Sequence, residues 1–342
     1  MTAEFQATGQ VSPELCSAIS ALEPNNPFCT FAYAQAMEAI GTQPWLLYLK
    51  DNERFTGGCL GFLRAGRLSR SLEVPSVPTL PTPDVFFWTE LVNLCARMRV
   101  SNLSLQSFGS ACPTMPCLPG ETDRRSRVEH ILILQGRNIG SAISSNHRRN
   151  IQKAEKAGVR VERSSTRESC REHVLLQDAS MERRLNRGEQ VEADAQMHTP
   201  LALVQYGAGE FFRAVRAGQA LSSILVLRAP SGAYYHSAGT SREGMAIGAS
   251  HLLIREVAEI LRVEGMQQFN LGGADPSSSG LARFKMGFGT QAISLEAAQF
   301  CFSGRLQRSV TALVNLTRRF VHIAASHGKD PAGTAKQRAT DS

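Results

Sequence analysis

The chain has 342 residues, 42% of them hydrophobic and 20% charged, with a formal net charge of +7. That length supports two domains or one large one with a substantial core, and the composition is that of an ordinary globular protein. Nowhere do 18 apolar residues run together, and Met1 to Gly9 is polar and mixed. Neither a spanning helix nor a secretory signal is therefore expected, and the expected location is the cytoplasm.

In chain order, a helix is predicted over 31–40, then strands at 45–50, 55–64 and 68–74, separated by polar or Ala-Gly turns. A loop holding Pro75, Pro78, Pro81 and Pro83 leads into an amphipathic helix over 84–98 and a returning strand at 102–106. Cys112 and Cys117 in CPTMPC could form half of a zinc site, but no second Cys or His pair has matching spacing. No metal is expected, and the 8 scattered cysteines read as reduced thiols.

From Arg137 to Arg171 stand nine basic residues with three acids among them. Such an excess attracts RNA, nucleotides or anionic lipid heads, or forms a solvated helix face. Within it, 141–161 reads as helical, with Ile143, Ile151 and Ala154 on one face and Gly158 as its stop. A second series then repeats the first: a helix at 169–186, strands at 211–215, 221–227 and 233–238, a loop at 242–247, a helix at 249–263 and a strand at 268–271. A strand at 292–302 and an amphipathic helix at 306–323 follow, then a polar, disordered tail. Two matching units of hairpins and helices predict an α+β fold, a duplicated mixed and mostly antiparallel sheet with flanking helices. The expected units are 1–137, 138–303 with the site, a helix at 304–327 packing back on the first, and a tail at 328–342.

The second unit departs from the first where chemistry is expected. Before its helix stand Gly244, Gly248, Ala249 and Ser250, which let a ligand approach backbone N–H groups. After its last strand stand Gly272, Gly273, Asp275 and Lys285. Of 37 basic residues only 6 are lysines, and Lys285 is the only one between Lys156 and Lys329. Attack of an amine on an ester or thioester builds negative charge on the carbonyl oxygen, and an ordinary lysine ammonium can stabilise it. Asp275 is a candidate for orienting the amine or taking its proton, although Asp-Pro is also a turn dipeptide. Arg148 and Arg149 are candidates for gripping donor phosphates, and Arg242, Gly248 and Ser250 for an anion cradle at the helix start. His236 and His251 read as structural histidines. No Ser-His-Asp order, P-loop, HExxH or Rossmann glycine pattern is present.

Two stretches resemble the Fem-like, peptidoglycan bridge-forming branch of the GNAT acyltransferase superfamily. One is Ser145-Asn146-His147-Arg148-Arg149-Asn150-Ile151; the other runs from Phe269 through Leu271-Gly272-Gly273 to Phe284-Lys285-x-Gly287-Phe288-Gly289. The resemblance implies tandem GNAT-like domains and transfer of an acyl group to an amine, with Lys285 at the transfer centre; Phe284 and Phe288 join Gly272 and Gly273 as candidate donor- or substrate-binding residues. It implies no permanently bound cofactor, and aminoacyl-tRNA or acyl-CoA as co-substrate. The acceptor would be an amine on a cell-envelope or polysaccharide precursor, with peripheral contact to the inner membrane and no role for DNA. Arg242–Ala249 has the ingredients of a CoA pyrophosphate loop only in looser spacing. An acyl-CoA-dependent N-acetyltransferase of a small molecule or sugar, or a non-catalytic RNA- or nucleotide-binding protein, is the alternative.

Overall fold

A computed structural model describes residues 4–302, except 67–68, 81–84, 113, 137, 189–196 and 275–278. Asp275, the helix expected at 304–327 and the tail at 328–342 lie outside the described residues.

The first half runs β1 (Glu4–Thr8), α1 (Pro13–Leu22), a 3₁₀ turn (Pro27–Cys29), α2 (Phe31–Ala39), β2 (Gln43–Asp51), β3 (Arg54–Ala65), β4 (Arg70–Val74), α3 (Val85–Arg97), β5 (Asn102–Leu105) and β6 (Glu121–Ile133). The second runs α4 (Ile139–Ala142), α5 (Ser145–Lys156), β7 (Arg160–Ser164), α6 (Arg167–Leu185), α7 (His198–Gln205), β8 (Gly209–Arg216), β9 (Gln219–Arg228), β10 (Gly232–Thr240), α8 (Arg242–Ile247), α9 (Ala249–Val263), β11 (Gln268–Ala274), α10 (Ser279–Met286) and β12 (Gln291–Cys301). Helix starts follow local chemistry. Ser12, Ser144 and Thr166 accept backbone N–H bonds as N-caps of α1, α5 and α6. In α9, Leu253, Val257, Ala258 and Leu261 recur at helical spacing and are buried.

Twelve strands form one sheet in the order β1-β2-β3-β4-β5-β12-β6-β11-β10-β9-β8-β7. The order is a palindrome of the two repeats, interrupted at the centre. There β12, the closing strand of the second repeat, lies between β5 and β6, and β6 lies between β12 and β11. Met1–Cys301 form one compact unit. One core packs α5 and α9 on β8–β11 and takes in Leu132 and Leu134 at the end of β6. The other joins the repeats, with Phe28, Tyr33 and Phe62 of the first buried alongside Phe211, Leu225 and Tyr234 of the second.

Two local expectations change. The segment 242–247, read as a loop, is the short helix α8, capped by Ser241 through a bond from Gly244 N. Strands β1, β6 and β7 are absent from the sequence reading. Gly158 does end α5, with φ +74°. Bonds from Gly158 N to Glu155 O and from Val159 N to Ala154 O close a Schellman turn there.

Candidate functional site

Lys285 sits in the last turn of α10, and its aromatic neighbours explain its placement. Phe288 is fully buried and Phe284 packs on the same core, their rings 5.3 Å apart and nearly perpendicular. His147 of α5 bonds through Nε2 to the Phe284 carbonyl at 2.8 Å, and Ser144 N donates to Gly287 O at 2.9 Å. These contacts clamp both sides of the lysine. Lys285 is itself only 4% exposed, and its Nζ donates to Gly273 O at 2.5 Å.

The strand it meets is kinked. β11 pairs with β6 up to Asn270, and the register then shifts before resuming at Gly273. Gly272 occupies the gap at φ +71°. That conformation favours glycine. Its N–H is held by Asn270 Oδ1 at 2.8 Å. β11 also parts from β10 here. Their parallel pairing ends at Tyr234 and Asn270, although β10 runs to Thr240 and β11 to Ala274. The equivalent strands of the first repeat, β4 and β5, stay paired to their ends. A crevice where parallel strands separate is where open α/β sheets bind ligands.

Beneath Lys285 lies a buried carboxylate that the sequence reading missed. Glu129 of β6 is fully buried. Its Oε1 accepts Arg127 Nη2 at 2.9 Å and Tyr234 OH at 2.8 Å, and its Oε2 accepts Asn270 Nδ2 at 2.7 Å and Gly109 N at 3.1 Å. Four donors satisfy the oxygens of a carboxyl group buried away from water. Burial pushes the Lys285 pKa down to about 8; Glu129 pulls it up and Arg127 lowers it further. The result is an ammonium that is mostly charged at neutral pH yet poorly solvated. Two further side chains of the neighbourhood carry buried polar atoms without a partner among the described residues, Arg127 Nη1 and His130 Nε2.

The expected residues fall into two groups. Lys285, Gly272 and Gly273 meet at the β11 kink, while Phe284 and Phe288 flank the lysine in the chain and pack with His147 of α5. Arg148, Arg149, Arg242, Gly248 and Ser250 lie on α5 and the α8–α9 junction, where both arginines of α5 and Arg242 are exposed. His147 and His251 join the groups, with ring centroids 4.6 Å apart and both packed on Phe284. Gly248 has φ +80°, and a Cβ there would lie 2.5 Å from Asn150 O, so the residue admits close passage of α5. Ser250 does not cap α9, whose N-cap is Gly248 without a side-chain bond. Burial holds His251 and His236 near pKa 4, which keeps both neutral. Among the described residues no cluster of His, Cys, Asp or Glu suits a metal, and no helix is long and apolar enough to cross a membrane.

The sheet is duplicated, a parallel strand pair parts in its second copy, and a lysine is buried beside the parting. Residues 141–286 match the family model described as an acetyltransferase (GNAT) domain, and the chain carrying it is an acyltransferase. No curated protein matches the sequence. Among solved structures, FemX aligns with a TM-score of 0.64 at 13% identity, over 87% of this chain and 97% of its own. L-PGS from Bacillus licheniformis aligns at 0.53 and 12% identity, over 90% and 97%. A tandem GNAT protein from the clavulanic acid biosynthesis pathway, solved without AcCoA, aligns at 0.53 and 11% identity, over 87% and 98%. The fold is that of the tandem, Fem-like GNAT proteins.

Proposed function

We propose that this acyltransferase moves an aminoacyl or acyl group from an activated donor to an amine, with the Lys285 ammonium stabilising the oxyanion of the addition step. The observation that carries this reading is the cation buried at the kink of β11, beside the point where β10 and β11 part. A donor fixed in place before charge develops is worth most in such a water-poor site. Lys285 reaches the carbonyl oxygen with the protons of its Nζ not spent on Gly273 O, while Glu129 opposes loss of its charge.

Aminoacyl-tRNA is the favoured donor, and the acceptor an amine on a cell-envelope or polysaccharide precursor. Support comes from the Fem-like FK-x-G-FG stretch, the likeness to FemX, and the exposed Arg148 and Arg149 on α5. Arg148, Arg149 and Arg242 are the proposed phosphate contacts, and Asp275 remains a proposed partner of the amine. Acyl-CoA is the second donor reading, favoured by the family description and by the tandem GNAT neighbour.

Thermal-shift titration with CoA, acetyl-CoA, uncharged tRNA and alanyl-tRNA separates these readings. Stabilisation by tRNA only when it is charged is the expected result. Stabilisation by acetyl-CoA alone would reverse the choice of donor, and equal response to uncharged RNA without transfer would favour a binding protein. In the donor assay so identified, Lys285→Met is expected to lose activity by roughly 10²–10³-fold. Lys285→Arg should be severely impaired as well, because a planar fork cannot replace a compact ammonium in a closed site. Near-normal turnover in both purified variants would remove the lysine from the mechanism.

A further inference from the structure

We propose that His130 is the general base and acid of this site, taking the proton from the attacking amine at Nε2 and returning it to the leaving group. The inference rests on the acyl-transfer reading of Lys285 and adds the proton route which that reading lacks.

The proposed tautomer is built on three atoms. Thr290 Oγ1 lies 3.2 Å from the carbonyl oxygen of Lys285. That oxygen has no proton to give, so the hydroxyl donates there. The same hydroxyl oxygen is 3.4 Å from His130 Nδ1 and then offers it a lone pair. With the hydroxyl proton on that carbonyl, which also accepts from Phe288 N at 3.2 Å, Nδ1 carries the ring proton and Nε2 a bare lone pair; a hydroxyl turned toward Nδ1 would give the opposite tautomer, so the tautomer is part of the proposal. His130 Nε2 is buried and has no hydrogen-bond partner among the described residues. A buried acceptor left open is costly unless something fills it. His130 is only 2% exposed. It follows Glu129 on β6 and so faces the other side of the strand, opposite Ala292 of β12 and within electrostatic reach of Lys285. Burial first and the lysine charge second hold its pKa below the usual value, so the ring is a neutral base at pH 7. Thr290 links base and electrophile mechanically, since it touches the Lys285 backbone and the His130 ring together.

The step balances with an ester or thioester donor. The amine nitrogen pair forms the C–N bond while the carbonyl π pair moves to oxygen, facing the Lys285 ammonium. The N–H proton passes to His130 Nε2. The oxyanion pair then re-forms the carbonyl and the C–O or C–S bond breaks. His130 protonates the departing alkoxide or thiolate and returns to its neutral form. The charged groups facing Lys285 are Arg127 and Glu129 of β6, and the charge facing His130 is Lys285 of α10; the Tyr235 ring of β10 lies 5.9 Å from the Lys285 nitrogen.

The first test needs no substrate. Two-dimensional ¹⁵N–¹H spectra of the histidine rings at pH 7.5 should show His130 as the Nδ1–H tautomer, and Lys285→Met should raise its pKa. An Nε2–H tautomer or a cation at that pH would overturn the proposal. The second test uses the donor identified above with its amine acceptor. His130→Asn keeps a donor in the place of Nδ1 but has no base, and should lose about 10²-fold in kcat. The acid limb of the rate profile should vanish with it, and free imidazole should restore part of the rate in His130→Ala. A purely structural histidine would lower melting temperature while leaving the acid limb in place, and that result would sink the idea. The two readings fail separately: full activity in Lys285→Met would end the oxyanion role, while the tautomer and acid limb would still decide on His130.

Discussion

Lys285 keeps its charge against its surroundings. Its pKa is about 8, against an ordinary 10.5. A tenfold change in proton affinity is worth about 1.4 kcal/mol, so the folded state holds the ammonium at a cost of about 3 kcal/mol at pH 7. Below pH 8 both folded and unfolded chains are protonated there, and the whole cost is present. Between 8 and 10.5 the folded state sheds the proton first, and the cost disappears. Lys285→Met is therefore expected to be more stable than the parent by about 1–3 kcal/mol at pH 7 in urea melts. The gap should shrink as pH rises through that window. Activity should fall on the same side, with an alkaline limb near pH 8 as the lysine neutralises. Glu129→Gln removes the charge that holds the lysine pKa up, so the limb should move below 8. The Gln amide would also turn an N–H₂ toward two of the four donors, for a stability loss of about 2–4 kcal/mol.

At the scale of elements, much of the second repeat was readable in its apolar periodicity. The strands at 211–215, 221–227 and 233–238 and the helix at 249–263 carry their own burial pattern, and β8, β9, β10 and α9 contain them. β6 was not readable. Its stretch from Glu121 to Glu129 carries six charged residues, and it becomes a strand because neighbours on both sides complete its hydrogen bonds. Glu129 was missed for the same reason, since its partner Asn270 is 141 positions away. Lys285 was legible because a compositional exception stood inside an aromatic motif. The glycine before α9 was legible as a residue, while its close passage by α5 became visible only in the packing. Its φ of +80° and the Asn150 carbonyl both oppose a Cβ. Gly248→Ala should therefore destabilise the protein by more than about 2 kcal/mol. Chemical denaturation gives the number, and a change under about 0.5 kcal/mol, the size of an ordinary surface substitution, would contradict the helix crossing described above.

The described residues build one sheet and are expected to unfold as one unit. Both tryptophans, Trp45 and Trp88, lie in the first repeat, so their fluorescence reports on that half while far-ultraviolet circular dichroism reports on both. The two transitions are expected to coincide in urea. An earlier fluorescence transition would mean that the repeats melt independently. Residues 141–286 made alone would lack β6 and β12 and leave β11 as an open edge, so that fragment should be unfolded or aggregated by NMR. The same strand order has a consequence for synthesis on the ribosome. β6 pairs only with β11 and β12, so it emerges more than a hundred residues before either neighbour exists. A nascent strand left waiting that long invites pairing with other chains. The charges along Glu121, Asp123, Arg124, Arg125, Arg127 and Glu129 act as gatekeepers for the interval, and two of them later become the floor of the lysine site.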